Sequence, residues 1–260
     1  MDRTANRREK LARTLRADRV DALLVSAPTH VRYLTGFTGE DSVFLLGRDR
    51  SLIISDGRFV TQLAQECPGL DVHVREVGQT MPDAVATVLG KLGVRRLAFE
   101  SAAVSVADHE RWREELPAVE MVGVRDRVEA LRVVKAREEV AAIREAIDYA
   151  ERAFAMLRHG LRTGETEKDV ADALEGYLRR CGATTASFPP IVAVGPRSAL
   201  PHARPTPEAR IGDDDFVLVD WGATGRPYKS DLTRVLVTGK VTAKFEKVYR
   251  TVLRAQERGI

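Results

Sequence analysis

The sequence predicts a mixed α/β and α+β protein in two parts, an α/β domain followed by a domain of long helices and a β-hairpin. Short apolar runs alternate with helical repeats over the first 125 residues, which is typical of helices packed on a central sheet. After that point, apolar residues recur at steps of three and four through a much longer stretch, and an apolar strand pair follows. This change of pattern lies near residues 125–135 and predicts domains of residues 1–130 and 131–260.

The first domain is predicted to alternate strands with helices. Leu11 and Leu15 lie four residues apart and mark a helix over residues 7–17. Strands are predicted where short apolar or alternating runs stand between turn-forming residues, at 21–26, 43–47, 51–55, 71–77, 96–100 and 119–124. Helical spacing predicts further helices at 58–66, 81–92 and 105–116.

The second domain begins with a long helical pattern over residues 128–160, which Gly160 ends. Its apolar stripe consists of Val140, Ile143, Ile147, Ala150, Phe154 and Leu157. Thr166 and Asp169 form a capping box that opens a second helix. The inward positions of that helix are Val170, Leu174 and Leu178. A proline-rich segment then leads to the strand pair at 216–237, and a last helix follows.

Charge and cysteine content narrow the class of protein. The 41 basic and 38 acidic residues are interspersed and give a net charge of +3, so no basic face suited to nucleic acid is expected. Cys67 and Cys181 belong to no cluster, which favours free thiols in a reducing compartment. No apolar signal segment opens the sequence, and no apolar run approaches the roughly 18 residues of a membrane span. A cytoplasmic protein is therefore expected.

Two aspartates stand in the strand pair among apolar residues. Asp220 lies near the end of the first strand and Asp231 near the start of the second. A symmetric turn centred on Gly225 and Arg226 would pair them directly, with Cβ atoms roughly 4.5–5.5 Å apart. Two ionised carboxylates so placed repel each other, so either one keeps its proton or cations lie between them. The simpler alternative is that Asp231 caps a turn and Asp220 ends a strand at the surface.

Three segments together resemble one family. "VDWGATGRPYKSDLTR" resembles the start of the catalytic domain of the pita-bread metallopeptidases, in the Xaa-Pro aminopeptidase and prolidase branch. "FPPIVAVGPRSALPHARPT" is similar to the family segment that supplies a substrate-side histidine. "HVRYLTGFTGE" with "LIISDGRF" is similar to the smaller creatinase-like domain that precedes the catalytic one. The resemblance covers essentially the whole chain and implies a creatinase-like α/β domain followed by the first half of a pita-bread domain.

The resemblance implies metal-dependent hydrolysis of the bond between an N-terminal residue and a following proline, in proline-containing peptides or dipeptides. Asp220 and Asp231 would bind two divalent metal ions, with Mn²⁺ expected and Co²⁺ or Zn²⁺ as alternatives. A hydroxide bridging the two metals would attack the scissile carbonyl, and His202 would act as the catalytic residue that stabilises the tetrahedral species. The family also implies a homodimer. The interspersed charges and the absence of a membrane-length apolar run predict that neither nucleic acid nor a membrane is a partner.

The family site takes five ligands, and three of them come from the second half of the catalytic domain. That half, with one histidine and two glutamates, has no counterpart in these 260 residues, so the resemblance predicts a truncated chain that is inactive alone. Two alternatives remain open. One is a metal-free hydrolase of the creatinase type. Such enzymes lack the metal-binding carboxylate pair, so the presence of Asp220 and Asp231 counts against this alternative. The other is a non-catalytic peptide-binding module on the same scaffold.

Overall fold

The computed structural model describes residues 3–48, 50–212 and 216–260. The chain divides into two compact units, Met1–Val134 and Lys135–Ile260. A six-stranded mixed sheet with helices forms the first unit, and small antiparallel sheets with long helices form the second. This architecture confirms the predicted α/β and α+β fold class. None of the described helices combines the length and apolar character that a membrane span needs.

The first unit is built on one sheet. Its strands are β1 (Ala22–Val25), β2 (Val43–Gly47), β3 (Ser51–Ser55), β4 (Asp71–Val74), β5 (Arg96–Glu100) and β6 (Glu120–Val124). They lie in the order β4-β3-β2-β1-β5-β6. The pairs β3–β4, β1–β5 and β5–β6 are parallel, whereas β2 is antiparallel to both of its neighbours.

Helices cover both faces of this sheet. They are α1 (Arg3–Ala17), α2 (Pro28–Thr35), α3 (Val60–Glu66), α4 (Met81–Leu92), α5 (Val106–Glu115) and α6 (Arg127–Val133), and a 3-10 turn precedes α3 at Gly57–Phe59. Successive strand side chains point to opposite faces. Leu23 of β1 therefore joins the core that contains α1, α2, α3 and α6, while Leu24 joins the core that contains α4 and α5.

The second unit packs helices on a small sheet. Its helices are α7 (Arg137–Gly160), α8 (Glu167–Cys181) and α9 (Ala243–Gly259). Its strands are β7 (Thr185–Ala186), β8 (Ile191–Val194), β9 (Phe216–Trp221), β10 (Ala223–Thr224) and β11 (Leu232–Val237). The antiparallel sheet runs β11-β9-β8, and β10 pairs with β7. The core joins α7, α8 and the alternating apolar side chains of β9. The predicted inward positions Val170, Leu174 and Leu178 are confirmed as buried.

The single helix predicted over residues 128–160 is wrong. Helix α6 ends at Val133 and α7 begins at Arg137. Ala136 has an extended backbone (φ −70°, ψ 163°), and its amide donates to the Glu139 carboxylate at 2.8 Å. A carboxylate that reaches back to the residue before a helix satisfies an amide left without an intrahelical partner. The chain therefore starts a new helix here, which the apolar spacing alone could not indicate.

The buried face of α7 also differs from the predicted stripe. Ala150 and Leu157 are buried as predicted, but Val140 is 36% exposed, and Ile143 and Ile147 are only partly buried. The buried residues of α7 are Glu139, Ala146, Ala150, Ala153 and Leu157. Small alanine side chains allow the hairpin backbone to approach the helix closely, so they occupy the contact in place of the larger isoleucines.

Candidate active site

Asp220 lies on the middle strand of the three-stranded sheet. It is paired with Ile191 of β8 on one side and with Thr233 of β11 on the other. The same register continues to the turn, where the Gly225 amide donates to the Tyr228 carbonyl at 3.0 Å. The turn is therefore centred on Arg226 and Pro227, one residue later than the sequence predicts.

The predicted direct pairing of Asp220 with Asp231 is wrong. In the observed register Asp231 lies beside Gly222, so the two aspartates occupy diagonal positions on one face, where neighbours are about 7–8 Å apart. Pro227 accounts for the difference. The predicted register would place it in the strand ladder opposite Thr224, and proline has no amide hydrogen to donate there.

Both aspartates are held in place by their chain neighbours. The indole Nε1 of Trp221 donates to the carbonyl oxygen of Ala150 at 2.9 Å. The hydroxyl of Ser230 donates to the carbonyl oxygen of Ala146, also at 2.9 Å, and accepts from the Ala223 amide at 3.0 Å. Trp221 and Ser230 are buried, with 1% and 5% exposure. Helix α7 therefore fixes the strand segments that carry Asp220 and Asp231.

The Asp220 carboxyl group is in an unfavourable place for an isolated negative charge. Its Oδ1 is buried and has no hydrogen-bond partner among the described residues. Burial raises the pKa of Asp220 above its ordinary value of 3.8, and the charge of Asp231 raises it further. A hydrogen bond from the Thr233 side chain and the charge of His202 lower the same pKa. Asp231 itself is exposed.

His202 lies in the loop that follows β8. The chain leaves β8 at Gly195, whose φ of 52° is in the left-handed region that glycine adopts without strain. A 3-10 turn follows at Gly195–Ala199, and His202 comes next on an exposed turn. The charge of His202 is the smallest of the effects that act on the pKa of Asp220. His202 and Asp231 thus both belong to the electrostatic neighbourhood of Asp220.

Sequence reasoning missed three residues that shape this neighbourhood. Thr233 lies directly opposite Asp220, and the wrong register concealed it. Glu167 is fully buried and forms an ion pair with Arg197, with N–O distances of 2.9 and 3.0 Å. The capping box placed Glu167 at the start of a helix, but nothing in the local pattern indicated that its carboxylate turns inward.

The two aspartates fit a divalent metal ion in part. Carboxylate oxygens are the ligands that hard divalent cations prefer, and the unpartnered Oδ1 of Asp220 beside Asp231 suits such an ion. Across the described parts of the chain, however, no group of three or more His, Cys, Asp or Glu residues comes together as a metal site. Asp220 and Asp231 therefore fit one side of a metal site and do not complete it.

Known proteins match both units. The creatinase/prolidase N-terminal domain matches residues 7–134, and metallopeptidase family M24 matches residues 141–260. The uncharacterized peptidase YqhT of Bacillus subtilis is 32% identical over 93% of this chain and 67% of that protein. The chain superposes on an Xaa-Pro dipeptidase from Bacillus anthracis with a TM-score of 0.92 and 33% identity, covering 99% of this chain and 71% of that one. An X-Pro aminopeptidase from Thermotoga maritima gives a TM-score of 0.86 and 33% identity over 95% and 70%.

These matches agree with the resemblance carried by the sequence segments and with the order of the two units along the chain. They are distributed over both units rather than confined to one, and the similar solved structures include Xaa-Pro dipeptidases and prolidases. The chain therefore belongs to metallopeptidase family M24, in the pita-bread prolidase branch that carries a creatinase/prolidase N-terminal domain.

Proposed function

We propose that this protein is a metal-dependent peptidase that cleaves the bond between an N-terminal residue and a following proline. The observation that carries the proposal is the desolvated Asp220 carboxyl group, whose Oδ1 has no partner in the described structure and which lies beside Asp231. Family membership supports the reaction class. The similar dipeptidase of B. anthracis and aminopeptidase of T. maritima support proline-containing dipeptides or peptides as the substrates.

Asp220 and Asp231 are proposed to hold two divalent metal ions, with Mn²⁺ preferred over Co²⁺ and Zn²⁺ because the ligands are oxygens. Divalent ions in such sites polarise a carbonyl oxygen and activate water. An unpartnered buried carboxylate oxygen costs free energy, and a cation offsets that cost. Thr233 holds Asp220 in orientation, while the bonds of Trp221 and Ser230 to α7 keep the two carboxylates at a fixed spacing.

His202 is proposed as the catalytic residue on the substrate side. Its imidazole is exposed and lies close enough to Asp220 to affect that group's ionisation. An imidazole N–H placed there would donate a hydrogen bond to the scissile carbonyl oxygen as negative charge develops on it.

Residues 1–260 are proposed to be inactive without further ligands. Two carboxylates are fewer oxygen ligands than a divalent ion takes, and the described residues do not gather a third metal-binding side chain beside them. A homodimer is proposed from the family resemblance. A cytoplasmic location is proposed because Cys67 and Cys181 are free thiols, which suit a reducing compartment.

The test is hydrolysis of an Xaa-Pro dipeptide by the complete gene product, stripped of metal and then supplied with Mn²⁺. Asp220→Asn and Asp231→Asn are expected to lower the rate by at least about 10³-fold, because each removes a metal ligand. Asp172→Asn is the matched control, since Asp172 is exposed on α8 and forms an ion pair with the exposed Lys168. Full activity in the presence of a chelator would instead indicate a metal-free hydrolase. Peptide binding without any hydrolysis would indicate a binding module.

A further inference from the structure

We infer that Glu167 is a positioning residue that holds the loop carrying His202 in its working place. The inference rests on the proposed function, because it assigns Glu167 a role in that same site. Glu167 is the first residue of α8 and is 0% exposed, whereas the first residue of a helix usually lies where water can reach it. A buried carboxylate is costly unless it is paired and hydrogen-bonded, so its partners show what it holds.

Within the described residues, the hydrogen-bond partners of the Glu167 carboxylate all lie in one segment, residues 194–206. Oε1 accepts from the Val194 amide at 3.0 Å, and Oε2 accepts from the Thr206 amide at 3.2 Å. Both oxygens accept from Nε of Arg197, at 2.9 and 3.0 Å. One side chain therefore holds the beginning and the end of the loop that contains His202.

We call these bonds from the Glu167 carboxylate the Glu167 clamp. Arg197 extends the clamp toward His202. While its Nε binds Glu167, its Nη2 donates to the carbonyl oxygen of Arg204 at 2.8 Å. Arg204 is two residues beyond His202. The turn that contains His202 is closed by the Ala203 amide, which donates to the Leu200 carbonyl at 3.2 Å. The clamp thus fixes backbone on both sides of the histidine.

The backbone of α8 reinforces the far end of the loop. The Lys168 amide donates to the Thr206 carbonyl at 3.3 Å, and the Glu167 amide donates to the Ala209 carbonyl at 3.0 Å. The helix start is therefore bonded to the loop through main chain as well as through the Glu167 carboxylate. Loss of the carboxylate should loosen residues 195–205 without unfolding α8, whose capping box uses Thr166 and Asp169 instead.

The chemistry of the proposed site gives this clamp a function beyond stability. His202 is exposed, and its side chain makes no hydrogen bond to the described residues, so its direction depends on the backbone that carries it. A misplacement of about 1 Å can cost roughly 10²-fold in rate. A carboxylate that fixes both ends of the loop therefore controls the rate through His202 and leaves the metal-binding strands unchanged.

The experiment compares the complete gene product with its Glu167→Gln, Arg197→Lys and Asp169→Asn variants, each with His202 intact and with His202→Ala. Glu167→Gln keeps the side-chain shape but loses one acceptor oxygen. Arg197→Lys keeps a cation opposite Glu167 but cannot bond to both Glu167 and Arg204. It gives an independent test of the clamp if Glu167→Gln folds poorly. Asp169→Asn is the matched control, because Asp169 caps α8 without touching the loop.

With His202 intact, Glu167→Gln and Arg197→Lys are expected to lower kcat about 10- to 100-fold, with KM changed less than about threefold. In the His202→Ala background the same changes should lower kcat less than about twofold, since the residue they position is gone. Asp169→Asn should alter kcat less than about twofold in either background. An equal loss of kcat with and without His202 would overturn the proposal, because a purely structural role predicts that result.

Amide hydrogen exchange separates this inference from the proposed function. The Val194 and Thr206 amides should exchange at least about tenfold faster in Glu167→Gln and keep their rates in Asp169→Asn. Unchanged exchange of these two amides would overturn the clamp even if the enzyme is active. If the wild-type protein hydrolyses no proline peptide, the proposed function and the role assigned to Glu167 in it both fail, and faster exchange would leave a structural clamp only.

Discussion

Asp220 and Asp231 lie diagonally on one face of the β9–β11 hairpin, each next to a residue that is bonded to helix α7. The bonds reach the carbonyl oxygens of Ala150 and Ala146, four residues apart on the helix. A helical separation of four residues is about one turn. The spacing of the two carboxylates is therefore set by the rise of a helix as well as by the hairpin turn.

Ser230→Ala should disturb both stability and metal binding. The change leaves the Ala146 carbonyl and the Ala223 amide without their buried partner, which should lower the free energy of unfolding by about 1–3 kcal/mol. Urea unfolding measures this effect, and a Mn²⁺ titration should show weaker binding. Thr251→Val is the control, since its hydroxyl bonds the Lys247 carbonyl on exposed α9. Equal losses in the two variants would contradict a special role for Ser230.

Gly222→Ala should break the hairpin. A Cβ at this position would meet the backbone carbonyl oxygen of Ser230, and it would also lie 2.9 Å from the Ser187 hydroxyl. Because backbone must move to make room, we expect a loss of at least about 3 kcal/mol. Gly176→Ala on α8 is the matched control. Apart from its chain neighbours and the backbone of the helix itself, no described atom lies within 4 Å of the added Cβ, so alanine should stabilise the helix by about 0.5–1 kcal/mol. Thermal unfolding of the two variants should shift in opposite directions.

Mn²⁺ should stabilise the wild-type complete gene product against unfolding. A ligand at 100 times its Kd contributes about 2.7 kcal/mol to the free energy of unfolding. Asp220→Asn should lose most of this gain, because it removes the negative charge of a proposed metal ligand and replaces one carboxylate oxygen with an NH2 group that cannot bind a cation. Thermal unfolding with and without Mn²⁺ gives the difference directly. An undiminished shift in Asp220→Asn would place the metal elsewhere.

The first unit should lose stability as pH falls, in part through His73. Burial lowers the pKa of His73 below its ordinary value of 6.5, Lys91 lowers it further, and Glu76 raises it. The unfolded chain then binds a proton at a higher pH than the folded chain does. The free energy of unfolding should therefore decrease as pH falls below about 6.5 and through the folded pKa.

His73→Gln should remove this part of the pH dependence. Urea unfolding of the wild-type protein and the variant at about pH 7.5 and about pH 5.5 measures it. The variant should lose less stability between the two pH values than the wild-type protein does. The same loss in both proteins would show that His73 does not take up the proton responsible.

Local patterns predicted much of the first unit. The strands at 43–47 and 51–55, the strand at 96–100 and the helix at 81–92 are confirmed at their predicted bounds. Each is a short segment whose signal lies within it, such as the Thr80 cap that accepts from the Asp83 amide at the start of α4. Such bonds join residues three apart, so the sequence displays both partners together.

The parts that were missed depend on single residues or on distant partners. The break before α7 follows from one carboxylate, Glu139, that turns back to Ala136. The hairpin register follows from Pro227, which moves the turn by one residue and makes Asp220 and Asp231 diagonal. The Glu167 clamp joins residues 27 to 39 positions apart. The spacing of apolar residues within one helix or strand cannot predict a contact between such distant residues.

The most direct test of the account is proline release from an Xaa-Pro dipeptide by the metal-stripped complete gene product, with Mn²⁺ added. The same assay with an Xaa-Ala dipeptide and with Asp231→Asn gives the two necessary comparisons. The account predicts Mn²⁺-dependent release from the proline substrate, at least about tenfold slower hydrolysis of the alanine substrate, and about 10³-fold or greater loss in Asp231→Asn. Release that needs no metal, or that survives in Asp231→Asn, would contradict it.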